Sequence, residues 1–349
     1  MKKTIKIKFV GFWPDFEPNK SILIECLKKR YNVQIIDEEP EYIICSVFGR
    51  DPYEYCKYPQ PRIMYSGENY IPDFNLIDYS ICSYPIVYLD RNFRLPYCFA
   101  IDQTLIQELA NKNREYDYSI LKEKEYFANF IASHESEGNI RGDFFKKLSE
   151  YKRVEACGSY LNNMPNGERV NRNNKVDFQR KTKFTLCFES TKHEGFITEK
   201  ISDAFYADTI PVYYGSSDVK TIFNEKAFIN CADYETFDEA IEKIIEIDND
   251  DKKYMKMLRQ PIFAEEFDPD AMMKSFEQFL YNIFDQPIES VYRRSRVYSA
   301  KYYNDYLAEV IRRKDIVNVI PIGELIKILI RKVVRKYLIG IKFITGTNL

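Results

Sequence analysis

The chain has 349 residues, enough for two domains with substantial cores, since a single core stops growing at roughly 250–300 residues. Aromatic residues make up 15% of it and glycines number only 12, which excludes low-complexity disorder for the bulk of the chain. The formal net charge of −2 hides an asymmetry: residues 290–349 hold 13 Lys or Arg against 4 Asp or Glu, a net of +9, so residues 1–289 carry −11 and the chain reads as an acidic body with a basic tail.

Residues Ile5–Gly11 alternate as a strand, Asn19–Arg30 has Ile22, Leu23, Cys26 and Leu27 at helical spacing, and Val33–Ile36 is a second strand. A third apolar run, Tyr42–Val47, follows a turn at Glu39-Pro40. This opening predicts a parallel sheet with helices on its faces, without the GxGxxG fingerprint of a dinucleotide site. The charged, pattern-poor stretch 107–125 reads as a connection between domains. A fresh α/β unit follows: strand at Tyr126–Ser133, helix at Asp143–Tyr151, strand at Val154–Cys157, strand at Phe184–Phe188, helix at Thr198–Ala207 and strand at Ile210–Tyr214. A helix is predicted from after Phe263 to about Phe284, with Pro287 ending it. The expected organisation is therefore an N-terminal domain over 1–110, a second over 120–262, a helix over 263–288 packing on the body, and a tail over 289–349.

In that tail, Leu325, Ile326, Leu329, Ile330, Val333, Val334 and Leu338 recur at three and four, while Lys327, Arg331, Lys332, Arg335 and Lys336 take the other face. The run falls short of the roughly 18 uncharged apolar residues of a spanning helix, so it is expected to lie on an anionic membrane surface; docking on the protein's own body or a dimer seam is the alternative. Eight cysteines without a CxxC pair and only two histidines, His134 and His193, argue against structural zinc and for reduced thiols in a cytosolic protein. The start, TIKIKFV, lacks the continuous apolar core of a signal peptide.

The stretch TKFTLCFESTKHEGFITEK, residues 182–200, joins a strand through a polar loop to a helix start. Loops after the carboxyl end of a parallel strand, running into a helix N-terminus, bind anions through free N–H groups and the helix dipole. Thr198 is placed to cap that helix, Glu199 and Lys200 lie in its first turn, and a solvated helix start is the plainer reading of the same residues.

The longer run CFESTKHEGFITEKISDAFYADTIPVYYGSSDV resembles the donor-binding signature of the family-10 glycosyltransferases, the α-1,3/4-fucosyltransferases. Their pattern is roughly FEN, then GYVTEKxxDA, then IPIYWGSxxV. Phe188, Glu189, Gly195, Thr198, Glu199, Lys200, Asp203, Ala204, Ile210, Pro211, Tyr213, Gly215, Ser216 and Val219 match it. YSGENYIPDFNLIDYSI at 65–81 and YFANFIASHESEGNIRGDFFKKLSEY at 126–151 resemble the acceptor-side segment and the opening of the donor domain, so the similarity runs from about residue 5 to about 285.

The resemblance implies a GT-B fold of two facing Rossmann-like domains, the acceptor domain first and the donor domain second. It implies transfer of L-fucose from GDP-fucose, with inversion, to the N-acetylglucosamine of an N-acetyllactosamine-type acceptor on a bacterial lipopolysaccharide of Lewis type, at the cytoplasmic face of the membrane. Glu68 aligns with the general base and Arg141 with an arginine on the donor phosphates; Lys200 shares the diphosphate charge, Glu199 accepts from sugar hydroxyls, and Thr198 and Phe196 complete the donor site. Three residues depart from the pattern: Phe196 stands for Tyr, Ser190 for Asn, and His134 for a common Asn, where it either serves the donor or caps the turn. The only DxD strings, Asp248-Asn249-Asp250 and Asp268-Pro269-Asp270, read as a solvated turn and a helix start, so no metal or other cofactor is expected. A transferase with another nucleotide sugar or acceptor, and a non-catalytic glycan- or nucleic-acid-binding protein, remain the alternatives; the aliphatic face of the tail disfavours nucleic acid as a partner.

Overall fold

The computed structural model describes residues 2–100 and 103–319. The amphipathic segment at 321–343, and with it the predicted membrane-lying helix, lies outside the described residues.

The first lobe is a six-stranded parallel sheet in the order β2-β1-β3-β4-β5-β6. Its strands are β1 (Thr4–Val10), β2 (Asn32–Ile35), β3 (Tyr42–Cys45), β4 (Arg62–Ser66), β5 (Tyr79–Cys82) and β6 (Asn92–Arg94). Helix α1 (Ile22–Arg30) makes the first crossover; Ser21 caps it by accepting from Ile24 N, and the buried face Ile22, Leu23, Cys26 and Leu27 is the one the spacing predicts. Strands β4 to β6 are absent from the sequence reading. They are short and carry Ser, Tyr, Cys and Arg, so they lack a plain apolar pattern; Arg62, on β4, is buried and donates to the carbonyls of Tyr58, Leu76 and Cys56.

Helices α2 (Tyr97–Ala100) and α3 (Gln103–Ala110) lead into the connection, so its first residues are helical. The rest is tied to the second lobe, with Arg114 Nε donating to Leu258 O. That lobe is a five-stranded parallel sheet in the order β11-β10-β9-β7-β8. It comprises β7 (Tyr126–Phe130), α4 (Ile140–Tyr151), β8 (Val154–Ala156), α5 (Lys175–Arg180), β9 (Thr182–Phe188), α6 (Glu199–Tyr206), β10 (Ile210–Tyr214), β11 (Ile229–Asn230), α7 (Phe237–Asp248) and α8 (Asp251–Leu258). The two parallel sheets with helical crossovers are the fold class the sequence implied.

Helix α9 (Pro269–Phe284), capped by Asp268 with Pro269 at its first position, returns to the first lobe and packs on α1. Phe284 is fully buried there, its ring 4.6 Å from that of Tyr42, and Tyr31 donates to Asp285 at 2.7 Å. A short helix, α10 (Ile288–Val291), and the long α11 (Tyr298–Val319) follow.

Here the structure corrects the expected boundary at 289. Asp78, fully buried, accepts from the backbone N–H groups of Arg62, Arg293 and Arg294 and pairs with the Arg294 guanidinium. Asn304 accepts from Arg62 at 2.7 Å, and Ala308 and Ile311 are buried against the first lobe. Residues 288–315 thus belong to the body; charge counting merged them with the tail because arginines that satisfy buried acceptors look like those on a solvated face. Among the described residues no helix is long and apolar enough to cross a membrane. All eight cysteines are free and buried.

Candidate active site

The first-lobe half of the site lies at the carboxyl ends of β1, β3 and β4, around a cavity of about 480 Å³ lined by Phe12, Trp13, Phe48, Ser66, Glu68 and Tyr97 among others. Beyond Ser66 the chain passes directly against the Tyr97 ring: a Cβ on Gly67 would lie 1.7 Å from Tyr97 Cδ2, so any larger residue there has to displace the ring. That path delivers Glu68, half-buried, to the cavity, its N–H donating to Ser66 Oγ at 3.3 Å. Burial pushes its carboxyl above the ordinary glutamate value; Lys200 pulls the other way and Glu199 adds to the rise. A first-lobe carboxylate therefore sits in the field of a second-lobe ion pair. The same loop touches the second lobe directly, Asn69 Nδ2 donating to Thr191 Oγ1 at 3.4 Å.

The second-lobe half is built on Glu189, at the end of β9. Its buried carboxylate accepts from Thr198 N at 2.8 Å, from Thr198 Oγ1 at 2.8 Å and from Lys200 Nζ at 3.0 Å. Lys200 also donates to Thr198 Oγ1 at 2.8 Å. Burial opposes the charge on Lys200, but Glu189 and Glu199 outweigh it and hold the ammonium firmly protonated. Burial likewise works against charge on Glu199, and Lys200 and Lys175 overcome it, holding the carboxyl below its usual range. Lys175, on α5, bonds Asp203 at 2.6 Å and reaches Glu199 at 3.9 Å. The preceding loop is pressed onto the first lobe: at Gly195, with φ +79°, a Cβ would lie 2.1 Å from Ser83 O.

Arg141 enters from the first turn of α4 and is 3% exposed, yet its Nε and Nη2 have no hydrogen-bond partner. Burial lowers its affinity for the proton, while Glu135 and Glu189 favour the charge. Buried guanidinium donors without acceptors are costly, which fits a bidentate anion such as a phosphate at that place.

Glu68 on the first lobe thus feels the charges of Lys200 and Glu199 on the second, and Lys200 in turn feels that of Arg141. Thr198 stands at the N-cap position of α6 but does not cap it; its hydroxyl is committed to Glu189 and Lys200. Phe196 is buried, at 6% exposure, and offers packing but no hydrogen bond. His134 is exposed, and the turn after it is held by Glu135 accepting from Ser136 N. Lys192 and Glu194 are exposed, as a solvated loop requires. Asp248 is not in a solvated turn: its side chain is 2% exposed and pairs with Lys183 at 2.7 Å and Lys152 at 3.1 Å. Asp250 and Asp268 cap α8 and α9. Among the described residues no cluster of His, Cys, Asp and Glu is arranged to hold a metal ion.

The sequence reading missed Glu189 as an organiser, although its place at a strand end, before a lysine in the next helix, was a usable signal. Lys175, Tyr97 and Arg172, the last two lining the first-lobe cavity, carry no local signal, because only folding brings them to the site.

Two family models match the chain: alpha-(1,3)-fucosyltransferase FucT N-terminal domain over residues 7–101 and glycosyltransferase family 10 (fucosyltransferase) C-terminal over 121–274. It is 31% identical over 293 residues to alpha-(1,3)-fucosyltransferase FucT of Helicobacter pylori, covering 73% of this chain and 59% of that protein. It is 28% identical over 134 residues to 4-galactosyl-N-acetylglucosaminide 3-alpha-L-fucosyltransferase 9 of Homo sapiens, covering 38% of this chain and 36% of that protein. A crystal structure of an alpha1,3-fucosyltransferase superposes with a TM-score of 0.69 at 26% identity, covering 85% of this chain and 93% of that one. A structure of an alpha1,3-fucosyltransferase with GDP-fucose superposes with a TM-score of 0.65 at 27% identity, covering 80% and 91%. The chain thus spans a little over half the length of the first of these curated relatives.

Proposed function

The chain belongs to glycosyltransferase family 10, and from that premise we propose that it is an inverting, GDP-fucose-dependent α-1,3-fucosyltransferase acting on an N-acetyllactosamine-type acceptor. The observation that carries this reading is the buried Arg141 guanidinium whose Nε and Nη2 have no acceptor, an anion-ready group on the second lobe, while Glu68 lines the first-lobe cavity within the electrostatic reach of Lys200 and Glu199.

In the proposed step an acceptor hydroxyl oxygen attacks C1 of the fucosyl group and the bond from C1 to the GDP oxygen breaks. Glu68 takes the hydroxyl proton, and its burial makes it a stronger base than a solvated glutamate. The electron pair of the broken bond leaves on the diphosphate, where Arg141, Lys200 and the N-terminus of α6 neutralise the charge that a metal supplies elsewhere. Glu199, held ionised, accepts from hydroxyls of the donor sugar or ribose, while Thr198 and Phe196 shape the same wall. Proximity does much of the rest, by holding both substrates in one geometry.

The acceptor is proposed to be a bacterial surface glycan of the lipopolysaccharide class, built at the cytoplasmic face of the membrane. The basic amphipathic segment at 321–343 supports this: each Lys or Arg near an anionic surface contributes about 1 kcal/mol of attraction.

The test is a panel of nucleotide sugars with N-acetyllactosamine as acceptor and products identified by mass. Transfer of fucose from GDP-fucose, with or without a metal chelator, is the expected result. Transfer from a different donor only would sink the donor assignment, and a chelator-sensitive reaction the metal-independent step.

A further inference from the structure

Resting on the proposed role of Glu68, we infer that Trp13 and Phe48 form a stacking subsite for a second sugar ring of the acceptor, one glycosidic linkage away from the attacked hydroxyl.

Trp13 is the only tryptophan in the chain. It lies two residues beyond Gly11, which follows β1 and where φ is +77° and a Cβ would lie 2.6 Å from Ser46 O. The chain end of β1 is therefore pressed against that of β3, which sets Trp13 beside Phe48 with ring centroids 5.2 Å apart at 85°. Phe16 supports the indole from another side, 4.9 Å away at 70°, and itself stacks on Phe12 at 4.2 Å. These rings are fixed by one another, yet they do not fill the space above them: Phe48 stays 42% exposed, and all four line the cavity that holds Glu68.

An aromatic wall held rigid in an open cavity calls for a ligand with one apolar face and polar edges. A pyranose ring is such a ligand, its C–H face apolar and its hydroxyls projecting at the rim. Here the lining also includes the exposed Asp15, Lys20 and Asn173, groups that can accept from and donate to hydroxyls. The cavity, about 480 Å³, falls within the ~300–1,000 Å³ of small-molecule sites and leaves room for more than the sugar that Glu68 addresses. A guanine base would also stack on Trp13, but the groups proposed to bind the diphosphate, Arg141 and Lys200, do not line this cavity, and the cations that do, Lys20 and Arg172, are exposed.

Because Trp13 is the sole indole, its fluorescence reports on the subsite without any turnover. Titrating the full chain with N-acetyllactosamine is expected to give a saturable change in tryptophan emission, with N-acetylglucosamine alone giving little. Phe48→Leu, which keeps bulk but removes the ring, should weaken the disaccharide response roughly tenfold, the loss typical of a removed aromatic anchor. In transfer assays Trp13→Leu and Phe48→Leu should raise KM for the disaccharide by a similar factor and leave KM for N-acetylglucosamine and GDP-fucose unchanged. Equal losses for monosaccharide and disaccharide, or an emission change produced by GDP alone, would overturn the subsite. If the disaccharide binds at Trp13 but no fucose is transferred, the subsite stands and the proposed activity falls; the two failures are thereby separated.

Discussion

Glu189 and Lys200 form a buried ion pair, 3.0 Å between carboxylate oxygen and ammonium, with the glutamate side chain wholly shielded from water. The pair holds the first turn of α6 to the end of β9, and so decides where the Lys200 charge points.

Removing one partner of a buried pair leaves the other uncompensated, a loss of about 3–5 kcal/mol. Glu189→Ala is therefore expected to lower the midpoint of thermal unfolding by several degrees and to weaken GDP binding, whereas Lys192→Ala on the exposed part of the same loop should do neither. Calorimetry of unfolding and of GDP binding checks both. An unchanged GDP affinity in Glu189→Ala would remove Glu189 from the organisation of the site.

Glu68→Gln should cut kcat by roughly 10²–10⁴ while leaving GDP-fucose binding intact, since the amide keeps the shape but accepts no proton. The base must be ionised to work, and burial raises its carboxyl above the ordinary glutamate value. As pH falls, the acidic limb of kcat/KM should accordingly begin higher than for a solvated glutamate. Glu199 is shifted the opposite way and stays ionised across that limb. Near-wild-type turnover in Glu68→Gln would assign the proton to another base.

Arg141 separates binding from stability. Its unpaired Nε and Nη2 cost the ligand-free fold on the order of 1–3 kcal/mol. Arg141→Met should leave thermal stability unchanged or higher, yet weaken GDP binding at least tenfold. Arg141→Lys should restore little, because a point charge cannot replace the planar fork. A large drop in stability without loss of affinity would make Arg141 a packing residue instead.

Two truncations distinguish body from tail. Ending the chain after Pro287 removes Arg294 and leaves the buried Asp78 unpaired, so the protein should lose about 3–5 kcal/mol and fail to fold at 37 °C. Ending it after Val319 should keep folding and transfer to a soluble acceptor but abolish co-sedimentation with anionic phosphatidylglycerol vesicles. Retained vesicle binding in that second truncation would refute the membrane role of the segment beyond it.

The sequence by itself determined the alternation of strands and helices from Ile5 to Val47 and, apart from α5 at Lys175–Arg180, from Tyr126 to Tyr214, because burying one face of each element imposes a local period that survives without knowledge of partners. It also set Glu199 and Lys200 side by side in a motif compact enough to recognise, at the start of α6. Tertiary structure decided the rest. Glu68 feels the charge of Lys200 across 132 positions of chain, and Arg141 is buried with its Nε and Nη2 lacking an acceptor. Asp78 takes Arg294 into the body although charge counting placed that arginine in a tail. Each depends on which loops pass close enough to bury a charge and which groups remain to satisfy it, and residue type alone does not specify a partner hundreds of positions away.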